Sequence, residues 1–141
     1  MIGVVVVTHG QLAVELLNAA EAVVGELPQF TAVSIGWHDD TQDAREEIAR
    51  AISRVKGDEG VLILTDMFGG TPSNLALTFL ETNAVEVLTG VNLPMLIKLA
   101  SVVSGADLLT QAREMRKLGR HAIWVASDLL RGHADGSKEG A

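Results

Sequence analysis

From Ile2 to Val7 the chain is continuously apolar and rich in valine. That pattern suits a short parallel strand buried on both faces. From Gln11 to Val24 the period changes: Leu12, Leu16, Ala19, Ala20 and Val23 recur at helical spacing, with Glu15 and Glu21 elsewhere, which predicts an amphipathic helix ending near Gly25 and Pro28. A weaker strand is expected over Phe30–Ile35, and a helix over Thr41–Val55 with Ala44, Ile48, Ile52 and Val55 inward. Gly60–Thr65 reads as a third strand, followed by Asp66-Met67-Phe68-Gly69-Gly70-Thr71-Pro72 and a helix to about Thr82. Pro72 fits a first helical turn, where its missing N–H is no loss.

Ala84–Leu88 predicts a fourth strand, Pro94 opens a helix towards Val103, and Asp107–Leu118 a further helix burying Leu108, Ala112, Met115 and Leu118. Gly119 and Arg120 then lead into His121–Ser127 (HAIWVAS), expected as a short final strand. Strands alternating with helices imply parallel βαβ units, hence an open, doubly wound, mainly parallel α/β sheet with helices on both faces. No internal repeat divides the chain, so one domain over residues 1–127 is expected, followed by a polar tail, 128–141, with a disordered composition.

Composition narrows the partners. The 141 residues carry a net charge of −7, a field that repels nucleic acid. There is no cysteine, so disulfides, thiolate nucleophiles and Cys-based metal sites are excluded. The N-terminal apolar run lacks a basic region before it and soon meets Thr8-His9, unlike a signal peptide. No stretch approaches the roughly 20 apolar residues of a spanning helix, so a cytoplasmic protein without direct membrane insertion is expected.

In open α/β sheets, reactive groups gather beyond the carboxyl ends of the strands. There the sequence places Thr8-His9-Gly10, Asp66 with its Gly-Gly loop, and Thr89-Gly90-Val91-Asn92-Leu93-Pro94. A neutral imidazole is a nucleophile near pH 7, and a carboxylate on its far nitrogen would fix the tautomer. His9 and Asp66 are therefore the candidate catalytic pair, against the plainer readings of a polar strand-end histidine and a capping aspartate. Gly69, Gly70, Thr71 and Ser73, before a helix, offer amides and hydroxyls to an anion, or form only a turn. The segment lacks the lysine of a P-loop. Thr8, Gly10 and Asn92 complete the site loops, with Asn92 also readable as a turn residue. His38, beside Asp39 and Asp40, reads as a solvated turn rather than a metal site, His121 and His133 as structural or surface residues, and Trp37 and Trp124 as packing or interface residues.

Val7-Thr8-His9-Gly10, the block Thr65–Asn74 (TDMFGGTPSN) and Gly90–Leu96 (GVNLPML) resemble the three motifs of the mannose-type IIA family of the sugar phosphotransferase system. The resemblance implies a phosphocarrier that takes a phosphoryl group from HPr onto His9 and passes it to a IIB component. It implies Asp66 hydrogen-bonded to the histidine, hydroxyls and amides around Thr71–Ser73 on the phosphoryl group, reaction at Nε2, and neither metal nor other cofactor. Thr71 stands where many relatives have serine, which also supplies a hydroxyl. Homodimers that exchange the final strand are also implied. With only a polar tail left, the IIB partner is expected on a separate chain. Two alternatives stay open: a regulatory binding module switched by phosphorylation without sugar transport, and the phosphocarrier subunit of a dihydroxyacetone kinase.

Overall fold

The strands β1 (Gly3–His9), β2 (Phe30–Ile35), β3 (Val61–Thr65) and β4 (Val85–Thr89) pair in the order β2-β1-β3-β4. All three pairings are parallel. The computed structural model describes residues 1–102 and 105–132. Val4–Val7 is buried because helices cover both faces of its strand. On one face Val4, Val6, Leu62 and Leu64 meet α1 (Leu12–Val24), α4 (Leu93–Leu99) and α5 (Leu108–His121). On the other, Val5, Val7, Val33 and Ile63 meet α2 (Thr41–Val55) and α3 (Thr71–Leu77). The sheet is doubly wound, and strand order reverses between β1 and β3. Their carboxyl ends therefore border the crevice where such folds bind ligands.

Four local expectations change. The sheet-facing residues of α1 are Ala13, Leu16, Leu17 and Ala20, whereas Leu12 and Val23 are exposed. The cause is an anchor: buried Thr8 Oγ1 accepts the Ala13 N–H at 2.6 Å and fixes the helix's rotation. α3 stops at Leu77 rather than near Thr82, because the amides of Thr78, Phe79 and Leu80 bond three residues back. That tighter winding ends a helix, and Phe79 is held there under the Arg45 guanidinium, 4.8 Å from the ring centroid. α4 ends at Leu99, and Val103 lies outside the described residues.

The fourth change concerns the expected final strand. α5 runs on to His121, residues 123–125 join no sheet, and α6 (Ala126–Leu130) follows. Gly119, expected as a helix stop, is instead buried where α5 crosses Met95, so its missing side chain permits helix packing. A strand also needs a neighbour for its N–H and C=O groups, and residues 123–125 pair with no strand among the described residues. α6 extends across the expected boundary at residue 128, and the tail from residue 133 lies outside the described residues.

Candidate functional site

β1 and β3 bring His9 and Asp66 together across 57 residues of sequence, with His9 Nδ1 2.8 Å from Asp66 Oδ2. The same oxygen accepts the His9 backbone N–H at 3.1 Å, and Oδ1 accepts that of Met67 at 3.0 Å. Two contacts to His9 fix both its main chain and its ring. An ionised carboxylate only accepts, so the facing Nδ1 carries the proton and Nε2 presents a lone pair. Partial burial raises the Asp66 pKa, but hydrogen bonds from the His9 ring and amide, with the attraction between the two groups, outweigh it. Its carboxyl is held below the ordinary 3.8. The His9 side chain stays 50% exposed while that of Asp66 is 13% exposed, a geometry that opens the imidazole and shelters the carboxylate.

Thr8 is fully buried, and besides anchoring α1 it donates to the His9 carbonyl at 3.2 Å. Gly10, at φ +54°, turns the chain away after its amide bonds to Ile35 O at 2.9 Å. His9 is thus gripped from before, behind and beneath. The anchoring role of Thr8 escapes the sequence reading because its partner is five residues on, outside the usual capping spacing.

The Gly-Gly loop covers the other side of the ring. Gly69 and Gly70 adopt φ values of +94° and +85°, open to glycine at little cost. A Cβ placed on Gly70 would lie 3.1 Å from His9 Nε2 and 3.2 Å from Cε1. The loop backbone thus stands against the Nε2–Cε1 edge of the imidazole. The amides of Gly70 and Thr71 and the Thr71 hydroxyl have no hydrogen-bond partner among the described residues. Ser73 differs: its buried hydroxyl accepts the Gly69 N–H at 2.8 Å and lies 3.5 Å from Gly70 O, so it braces the loop from within.

Asn92 stands apart from this cluster. Its Oδ1 caps α4 through the Met95 N–H at 3.2 Å, and its Nδ2 donates to Gly119 O at 3.0 Å, as a structural turn residue would. His38 is exposed and His121 ends α5, while His133 lies outside the described residues. Among the described residues no group of three or more His, Cys, Asp or Glu side chains is placed to hold a metal, and no helix is long and apolar enough to cross a membrane.

Gly70→Ala tests the tight approach to the ring. It is expected to lose roughly 1–2 kcal/mol of stability from its left-handed φ and from the contact its new methyl makes with the His9 ring. Urea denaturation measures the loss, and a variant as stable as the wild type would show that the ring has more room.

Residues 3–115 match the family model described as the PTS system fructose IIA component. The chain is 28% identical over 131 residues to the fructose-specific EIIA component of Bacillus subtilis (strain 168), covering 92% of this chain and 90% of that protein. It is 33% identical over 103 residues to the mannose-specific EIIAB component of Escherichia coli (strain K12), covering 69% of this chain and 30% of the larger relative. The solved mannose/sorbose-specific IIA subunit from Enterococcus faecalis superposes with a TM-score of 0.77 at 28% identity, over 88% of this chain and 93% of that one. With the motif-bearing loops in place on a doubly wound sheet, the chain belongs to the fructose/mannose IIA family of the sugar phosphotransferase system, a family of phosphotransfer proteins.

Proposed function

We propose that His9 is a phosphohistidine carrier, loaded by phospho-HPr and unloaded to a IIB partner. The observation that carries this reading is the hydrogen bond from His9 Nδ1 to Asp66, which leaves Nε2 with its lone pair on a half-exposed ring. The Nε2 lone pair attacks phosphorus as the donor's P–N bond breaks, and the donor ring departs with that bonding pair. The Nδ1 proton stays in place, and the positive charge developing on the His9 ring faces the Asp66 carboxylate. Transfer onward reverses these steps, with the IIB nucleophile attacking phosphorus. Positioning and charge stabilisation are the main demands of phosphoryl transfer.

In this reading the unpartnered Gly70 and Thr71 amides and the Thr71 hydroxyl receive the phosphoryl oxygens, with Gly69 and Ser73 holding the loop in shape. Thr8 and Gly10 hold the histidine, and Asn92 holds the neighbouring loop. No step calls for a metal or another cofactor, and both protein partners are those of a cytoplasmic relay. Incubation with phosphoenolpyruvate, enzyme I and HPr should yield one acid-labile, base-stable phosphate per chain. Phosphorus NMR should assign it to Nε2 of His9, and a stable absence of label under conditions that load HPr would end the proposal.

A homodimer also belongs to this proposal. Among the described residues β3 is the one strand beside β4, whose outer edge beyond the Glu81–Val85 bridge pairs with no strand, while Ile123, Trp124 and Val125 expose apolar side chains. An exposed edge is a ready template for a strand from a second chain. Sedimentation should give a dimer at micromolar concentration, and Val125→Pro should weaken it. A wild-type chain sedimenting as a monomer would remove this part.

A further inference from the structure

Trp37 is 98% exposed, on the loop that leaves the carboxyl end of β2. A tryptophan can bury about 150–250 Å², and this one contributes almost none of that to the fold. Its place is specific, because Ile35, two residues earlier, pairs in register with His9. Three other exposed apolar side chains follow the strand ends at the same rim: Leu12 after β1, and Met67 and Phe68 after β3, at 47%, 54% and 74% exposure. Beside Trp37 stand the exposed His38 and, as the ionised side chains nearest in sequence, three carboxylates: Asp39 and Asp40 on its loop and Asp43 in the first turn of α2. The nearest arginine in sequence, Arg45, is turned onto Phe79.

We infer that Trp37 is the apolar anchor by which a basic-faced phosphohistidine protein docks over His9. This rests on the phosphocarrier reading and deepens it, since it says how the partner is recognised. Tryptophan is among the residue types on which binding energy concentrates when a partner desolvates it. The carboxylates around it set the partner's sign: a phosphorylated protein approaching this acidic rim needs positive charge around its own histidine. Electrostatic complementarity of this kind raises the association rate and falls with salt.

The test uses the full chain with phospho-HPr as donor. Trp37→Ala should raise the KM for phospho-HPr about tenfold or more, with kcat changed less than about twofold and an unaltered urea midpoint. Trp37→Phe should recover part of the loss. Leu80→Ala, an exposed apolar site preceding β4 at the opposite end of the sheet, should change neither parameter. In a Trp124→Phe background Trp37 is the only tryptophan, so unphosphorylated HPr should shift its emission to shorter wavelength, and salt should weaken that response. An unchanged KM in Trp37→Ala with normal labelling of His9 would overturn the docking role and leave the carrier reading standing. Failure of both chains to take phosphate would sink the two together.

Discussion

A His9→Ala chain is expected to take up no phosphate from phospho-HPr over times that load the wild type completely. The loss should be total rather than partial, because substitution removes the proposed nucleophile and no other described histidine reaches the Asp66 carboxylate. The fold should persist. The His9 ring is half exposed, and in the variant Asp66 still accepts the backbone amides of residues 9 and 67. Stability is expected to change by about 0.5 kcal/mol or less, as for a surface substitution. Acid-labile labelling alongside urea denaturation separates the two effects. Full labelling of the folded variant would move the nucleophile elsewhere, with exposed His38, on the loop after the neighbouring strand, the first alternative to map.

That His9 and Asp66 face each other was legible in the sequence because strand ends are easy to locate. A central strand of a parallel sheet is apolar throughout, so the apolar run of β1 stops at Val7, which pairs with Thr65 at the end of β3, and the polar residues that follow, Thr8-His9 and Asp66, must emerge at one edge. The rotation of α1 was less legible. Apolar periodicity at Leu12 and Val23 fits a helix equally well one position around, and the choice is made by a tertiary bond from Thr8. The run from His121 to Ser127 shows the same limit from the other side. Its β-branched and aromatic residues suit a strand, but strand formation depends on a partner edge, and a single chain lets α5 continue through Gly119 because that glycine packs against Met95. Ser73 was legible as a hydroxyl but not as an inward brace, which depends on the positive φ of Gly69 presenting its amide backwards.

Asp66→Asn is expected to slow transfer through His9 by roughly 10²–10⁴, the scale seen when an aspartate that orients a reactive histidine loses its charge. The amide has the shape of the carboxylate but brings a donor, so it can face Nδ1 as donor and leave the proton on Nε2, where attack is required. Even in the productive orientation it offers no charge to a ring that becomes positive as the new P–N bond forms. Asp66→Ala should be less active still or equal, but should cost more stability, since the amides of His9 and Met67 lose their acceptor. The charge also sets a pH signature. Asp66 titrates below its ordinary 3.8 in the folded chain, so its carboxylate stabilises the fold above the unfolded pKa, and that contribution disappears as pH falls through the folded value. Wild type should therefore exceed Asp66→Asn in stability above the unfolded carboxyl pKa, and the margin should shrink as pH falls below about 4. Urea titrations across that range read the margin, and single-turnover labelling at neutral pH reads the rate. Loss of rate without the converging stability curves would assign Asp66 an orienting role without a charged one, whereas an Asn chain that transfers phosphate at the wild-type rate would remove the Nδ1 hydrogen bond from the mechanism.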